Sequence, residues 1–519
     1  MALALKKIKK TKKTKQIQAF IFIAAVIALI LSVLFISACG EGDGNKNNAG
    51  NDGGNITETP QNDEDNTAEN EGGEVDIMTV VPQQDLGGFE LRFITDIVWD
   101  WDFGPMHMVC VEEQVGEPVN DAIYIRNTII EDRLNVKISE KVCKSNDAAS
   151  QIKKLVNAGS NDYDVLISQS WSGTGAMAAD GALVNLNNIP GLQIEKTWWD
   201  QRSVRDYAIK DHLYFMTGDY NLLVNDATWM LYFNKALTQN LGLELPYDLV
   251  RDGKWTFDKM MEYQKATAAD LDGDGEWTAA DRWGQVTHTQ HYTGILIAGG
   301  ENLVTRDSNG IPVYGQLSER FYSVYDKIID MMQTPGYTMN IYLNIKGLPA
   351  DKHATYNFLN DEALFCPEIL AHTRRFRQME SDFGVLPHPK YDANQKEYNS
   401  YVLPQVTLTC IPVTNDNLEK TAIVLDALGM LSAHTILPAY YELSYIGKFF
   451  RDDESINMIN IIRNSRVYAI EDAYSWGNIT GTYEQAAVKA TPIGSVIEKN
   501  ADKVNNAIRK TLDKFEIDY

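Results

Sequence analysis

The order of apolar patterns between Phe89 and Ile167 constrains the fold more than any other feature. Phe89-Glu-Leu-Arg-Phe-Ile-Thr95 alternates as a strand does and follows a Gly87-Gly88 breaker. Asn120 then caps a predicted helix through Leu134, with Ile123, Ile125, Ile129 and Ile130 apolar, before the strand pattern Val136-Lys-Ile-Ser-Glu-Lys-Val142. A second helical stretch, near Asp147 to Ala158, leads to Tyr163-Asp-Val-Leu-Ile167. Strand, helix, strand, helix, strand calls for right-handed crossovers onto a parallel sheet, hence an α/β lobe. A second lobe is expected after Asp219, where Thr228-Trp-Met-Leu-Tyr-Phe-Asn-Lys235 reads as an apolar strand entering a helix and Thr256 caps the helix after Trp255. Further helices are expected at 317–333, 367–380, 418–433 and 495–515, and strands at Ala363-Leu-Phe365 and Gln405 to Ile411. There is no internal repeat.

The N-terminus has a different character. Lys6, Lys7, Lys9, Lys10, Lys12, Lys13 and Lys15 precede an apolar run from Ala19 to Ile36, the order of a signal peptide. The run closes on Leu34-Phe-Ile-Ser-Ala-Cys39-Gly40, which resembles a bacterial lipobox. That resemblance implies cleavage before Cys39 and lipidation of its thiol; the alternative is an uncleaved anchor helix. Residues 39–88 are expected to form a disordered acidic linker, because Gly, Asn, Asp, Glu and Thr offer too little to bury.

The formal charge is −24 at pH 7, and loss of the signal peptide would remove seven lysines and no acids, so nucleic acid is excluded as a partner. The roughly 430 residues after the linker exceed what one core serves, so at least two domains are expected. Ten Trp and twenty-five Tyr in an exported acidic chain suit stacking on sugar rings as well as core packing. Beyond Cys39, the thiols Cys110, Cys143, Cys366 and Cys410 permit disulfides outside the cytoplasm; Cys110–Cys143 is the plausible pair, and buried free thiols are the alternative.

A succession of phrases then keeps a recognisable order. Asn161-Asp-Tyr-Asp-Val-Leu-Ile167 and Gly181-Ala-Leu-Val-Asn-Leu186 are followed by Trp198-Trp199-Asp200 and Asp211 to Asp219. Leu231-Tyr-Phe-Asn-Lys235, Leu245-Pro-Tyr-Asp-Leu249, Asn357 to Phe365 and Asp382 to Lys390 complete it. Over residues 160–430 the chain resembles extracellular solute-binding proteins of the maltose-binding type. The resemblance implies an α/β, two-lobed periplasmic-binding-protein-like fold, with a hinge and an interlobe ligand cleft. Lobe 1 would span 89–220 with a return segment at 404–440, and lobe 2 would span 221–403 with the C-terminal segment 441–519. The chain would cross between lobes near Asp219 to Asn225, return near Pro387 to Leu403, and cross again past 440. The implied function is capture of a sugar or oligosaccharide for the permease subunits of an ABC transporter. The protein would be a monomer, held by its lipid on the extracellular face of the cytoplasmic membrane in the Gram-positive manner.

Ligands in such lobes meet loops at the carboxyl ends of strands. Trp99, Asp100 and Trp101 follow the first strand, and Gln169, Ser170 and Trp171 follow the third; an indole on a sugar face with a carboxylate bridging hydroxyls makes a sugar site. Asp219 and Tyr220 stand at the expected first crossing and Tyr401 near the second. Glu368 sits where the family turns from a strand into the cleft, and Trp476 is added on composition. Trp198, Trp199 and Trp255 read as scaffold.

Asp270-Leu-Asp272-Gly-Asp274-Gly275-Glu276-Trp-Thr278-Ala-Ala-Asp281 has the spacing of an EF-hand loop. Asp270, Asp272, Asp274, Glu276, Thr278 and Asp281 are the expected ligands of a structural Ca²⁺; an Asx turn is the alternative. No nucleophile elbow, phosphate loop or zinc helix occurs, and His288-x-x-His291 shows no partners in sequence, so no enzyme is expected. A surface glycoside hydrolase or a ligand-sensing lipoprotein are the alternatives.

Overall fold

The computed structural model describes residues 75–96, 109–144, 147–343, 345–348, 355–441, 450 and 452–518. Cys39, Trp99, Asp100 and Trp101 lie outside the described residues.

The main strands in chain order are β1 (Phe89–Asp96), β2 (Val136–Cys143), β3 (Val165–Gln169), β4 (Trp229–Asn234), β5 (Trp283–Thr287), β6 (Thr338–Asn340), β7 (Ala363–Ile369), β8 (Phe383–Leu386) and β9 (Thr407–Cys410). They form a four-stranded sheet of order β9-β3-β1-β2 and a five-stranded sheet of order β8-β4-β7-β5-β6. In the first sheet β1 runs parallel to β2 and β3, and β9 closes the edge antiparallel. The Arg92 guanidinium and backbone N–H all donate to the buried Asp164 carboxylate at 2.8–2.9 Å, which sets the entry to β3 against β1. In the second sheet β5 runs parallel to β7 and β6, while β4 lies antiparallel to β7 and β8.

The first helix begins earlier than expected, at Pro118–Leu134, with the Glu117 side chain accepting from the Asn120 N–H at 2.7 Å. Proline at the first helical position lacks only an N–H that would have no intrahelical partner, so the start moves to it. The helix expected at 367–380 is a correction: β7 continues through Pro367 to Ile369, and Leu370–Gln378 then forms 3₁₀ turns. Pro367 pairs across to Leu231 on β4, and this tertiary pairing outweighs the helical pattern of the residues after it. The Thr256 cap forms as expected, ahead of the helix Phe257–Thr267.

Three chain segments meet between the sheets. Thr228 bridges Val402, the Leu403 N–H donates to the Ala227 carbonyl at 3.0 Å, and Ser400–Tyr401 pairs in parallel with Arg466–Val467. The C-terminal segment packs on both sides. Helix Ile493–Lys514 lies against Pro312–Tyr314 and the helix Glu319–Gln333. Phe515 stacks on His212 at 5.5 Å and leans on Tyr214 at 4.7 Å.

Trp199, Trp229 and Trp255 are fully buried. Asp426 accepts from the indoles of Trp198 (2.9 Å) and Trp199 (2.8 Å) and from the Gln193 N–H (3.0 Å), which explains why a tryptophan pair sits at a partly polar interior. All four described cysteines are free thiols: Cys110 is half-buried and Cys143, Cys366 and Cys410 are buried, so the expected Cys110–Cys143 pairing is not made, nor is one between Cys366 and Cys410.

Candidate functional site

The carboxyl end of β3 runs directly into a tight turn, Ser170–Thr174, that presents Trp171. Gly173 takes a φ of 92°, open to glycine and costly for other residues. Gly175 has the opposite reason to lack a side chain: a Cβ there would meet the Ala473 carbonyl at 2.6 Å and the Tyr474 Cα at 2.7 Å. That close approach carries the C-terminal segment 470–484 alongside the turn after β3.

Between them lies a cavity of about 190 Å³. Trp171 contributes from the β3 turn and Gln290 from just past the carboxyl end of β5. Tyr401, Leu403 and Pro404 come from the crossing strand, and Glu471, Asp472, Ser475, Asn478, Thr480 and Glu484 from the C-terminal segment. Trp171 is 42% exposed, unusual for an indole, with its Nε1–H donated to Gln169 Oε1 at 2.7 Å so that the ring is held in place. Ser475 and Asn478 both sit at positive φ (51° and 54°), and such strained backbone concentrates at working sites.

Three carboxyl groups reach this cavity. Asp472 accepts from Tyr401 (2.6 Å) and Thr480 (2.8 Å), and Glu484 accepts from Thr293 (3.0 Å). Burial pushes Asp472 up to about 6 against those hydrogen bonds. Burial likewise lifts Glu484 to about 7, with Asp472 adding to it, and Glu471 to about 8, again with Asp472 adding. Such a site offers hydrogen-bond acceptors in a low-dielectric wall beside an aromatic face, the combination that holds hydroxylated rings.

The expected ligand residues divide. Trp171 and Tyr401 line this cavity together. Asp219 faces a different one, of about 260 Å³, with Trp199, Asp200, Arg463 and Arg466; burial raises its carboxyl to about 7 although both arginines act the other way. Tyr220 is buried with its hydroxyl bonded to Thr409, and Trp476 is buried, stacked on Tyr474 at 4.9 Å and donating to Thr511 at 2.9 Å. Both are scaffold in this structure.

Glu368 is fully buried at the end of β7, with His372 Nδ1 at 2.6 Å and His288 Nε2 at 3.7 Å. Burial works against its charge, but the two imidazoles outweigh it and hold the carboxylate well below its usual range. The absence of partners expected for His288 and His291 is corrected here: His291 Nε2 lies 3.1 Å from His388 Nε2, and His288, His291 and His388 all pack on Trp229. Sequence spacing cannot show this, because these groups come from four separate stretches of chain.

The residues missed by sequence reasoning are Gln290, Glu471, Asp472, Asn478 and Glu484. The signal for three of them was present, since Glu471-Asp472 and Asn478 flank the Trp476-Gly477 phrase.

In the acidic loop, Asp270, Asp272 and Asp274 each bring a carboxylate oxygen within 4.8 Å of the others. The Asp270 carboxylate accepts from the Gly273 (2.7 Å) and Gly275 (2.8 Å) N–H groups, and the loop ends are tied by the Ala269–Arg282 bridge. Glu276 pairs with Lys346 at 2.7 Å. Asp281 is buried and accepts from the Leu271 N–H (2.9 Å) and the Thr278 N–H (2.7 Å), fastening the loop from inside.

Residues 133–324 match the family model of bacterial extracellular solute-binding proteins. Over that stretch the chain is similar to bacterial extracellular solute-binding proteins. Among curated proteins none matches the sequence. Solved structures share the fold at low identity. A cyclic alpha-maltosyl-1,6-maltose binding protein from Arthrobacter globiformis is 12% identical over 82% of this chain and 100% of its own, with a TM-score of 0.55. M. tuberculosis UspC is 12% identical over 81% and 100% at 0.53. A sugar transporter from Rhizobium etli, in an open conformation, is 14% identical over 83% and 100% at 0.52. These matches establish the two-lobed α/β architecture for this chain.

Proposed function

We propose that this chain captures a carbohydrate between its lobes and delivers it to the permease of an ABC importer. The observation that carries this reading is the exposed Trp171 held over a cavity whose other walls bring Gln290 and three carboxyl groups. An indole stacks on the C–H face of a sugar while carboxylates accept from its hydroxyls. Proteins of the same fold from A. globiformis and R. etli, a cyclic alpha-maltosyl-1,6-maltose binding protein and a sugar transporter, support a sugar as the ligand class. The lipobox-like Leu34 to Gly40 supports cleavage and lipidation at Cys39 of a monomer, and the tether expected over 39–88 ends before residue 77, because Ile77–Val80 is helical and Val81 and Leu86 are buried against the fold. The carboxylates of Asp270, Asp272 and Asp274 fit a Ca²⁺ ion, which would brace the loop while the cleft does the binding.

A thermal-shift screen against neutral, acidic and amino sugars tests the reading, because a ligand bound only by the folded protein raises its melting temperature. A shift with a sugar, lost in Trp171→Ala, is the expected result; no shift with any sugar, together with a shift from an amino acid or peptide, refutes it.

A further inference from the structure

Among the described residues the cavity is lined by carboxyl groups and by no cation. Glu471, Asp472 and Glu484 line it, and no Lys, Arg or His does so among the described residues. Arg306 approaches Glu471 from the strand Val304–Arg306, but its guanidinium donates to the Asp206 (2.8 Å) and Gly310 (3.3 Å) carbonyls. Tyr207 feels the Asp472 charge from the other side and, being buried, stays a neutral phenol. Glu471 is 4% exposed and lines the cavity; the backbone N–H groups of Leu303 and Val304 favour its charged form, and its Oε2 has no hydrogen-bond partner. A buried, unpartnered carboxyl oxygen at the wall of a ligand cavity marks a place where a donor from the ligand belongs.

The kind of donor can be deduced from geometry. No three of these carboxyl groups bring oxygens within 4.8 Å of one another, a closeness met only by Asp270, Asp272 and Asp274 among the described residues. They do not converge on one point, so a bare metal ion fits poorly and an organic group with spaced donors fits better. A neutral sugar brings donors and acceptors in balance; here the Tyr401, Thr480 and Thr293 hydroxyls already donate to Asp472 and Glu484, and the Gln290 and Asn478 amides are the neutral donors that remain beside three carboxyl groups. An ammonium brings three donors and a charge, and the exposed Trp171 ring adds a favourable face for a cation.

Building on the carbohydrate reading, we propose that the solute carries a cationic nitrogen: an amino sugar, or an oligosaccharide containing one, with its ammonium seated among Glu471, Asp472 and Glu484. The raised carboxyl pKa values, about 8, 6 and 7, agree with a site awaiting a cation, since burial disfavours their charged forms until one arrives.

The test compares rings that differ in charge. Titration calorimetry at pH 7.5 on the wild-type protein would use glucosamine mono- to trisaccharides, their N-acetylated counterparts, and the matching glucose oligomers. The ammonium series is expected to bind at least about tenfold tighter than either neutral series, as charge-assisted hydrogen bonds outweigh neutral ones. Asp472→Asn and Glu484→Gln, both near-isosteric, are expected to move that ratio toward one. Neutral oligomers binding as tightly as the ammonium series, or tighter, would overturn the inference and leave the carbohydrate reading intact. No binding in any series would overturn both.

Discussion

Replacing Glu471 by Gln isolates the energetic effect of a buried carboxyl in the acidic cavity. A glutamate ordinarily loses its proton near 4.5, and burial, with Asp472 beside it, lifts Glu471 to about 8. Between these values the unfolded chain has released the proton and the folded chain retains it. The folded state therefore binds more protons, and stability falls as pH rises across the window from about 4.5 to 8. At about 1.4 kcal/mol per pH unit, the full window is worth on the order of 3 to 5 kcal/mol. Gln fills the same space and does not titrate. Urea unfolding monitored by circular dichroism, at pH 5 and at pH 8, is expected to show wild type losing about 3 kcal/mol or more relative to Glu471→Gln on going to pH 8. Asp472 and Glu484 remain in both proteins, so the comparison isolates Glu471. A stability gap that stays constant between the two pH values, or moves the other way, would refute the assignment of a carboxyl raised by its burial.

Trp171→Ala removes an exposed ring without opening the core; the melting temperature should hold, and sugar affinity by calorimetry should fall by about threefold to tenfold. Asp426→Ala strands the indole N–H groups of Trp198 and Trp199 and the Gln193 N–H, and chemical denaturation should register a loss of about 3 kcal/mol. Chelation of Ca²⁺ should lower the melting temperature by removing about 1 to 3 kcal/mol of binding stabilisation, and Asp272→Ala should reproduce that loss in the presence of calcium. Identical melting of wild type with calcium and with chelator would show the loop to be only a turn.

The scaffold was legible where pattern and pairing agree. The alternation at Phe89–Asp96 and the apolar run at Trp229–Asn234 became strands, and Trp198, Trp199 and Trp255 are interior residues whose indoles bond to Asp426 or to the Pro387 carbonyl. It was less legible where pairing overrides local preference, as at Pro367, which joins β7 although its surroundings read as helical. The site itself was half visible. Trp171 could be placed because it stands just past the carboxyl end of a strand. Asp472 and Glu484 could not, because they reach the cavity only through the contact of Gly175 with Ala473 and Tyr474, some three hundred residues apart in the chain. Likewise Asp219 and Tyr401 both lie near crossings, yet they face different cavities. Proximity along the family pattern does not determine which wall a side chain joins.

The most direct test is a crystal structure of the protein with the tightest ligand of the sugar screen. The ring should stack on Trp171, with its polar groups directed at Gln290, Asp472 and Glu484. A ligand seated instead in the cavity of Asp219, Arg463 and Arg466, with Trp171 untouched, would contradict the account.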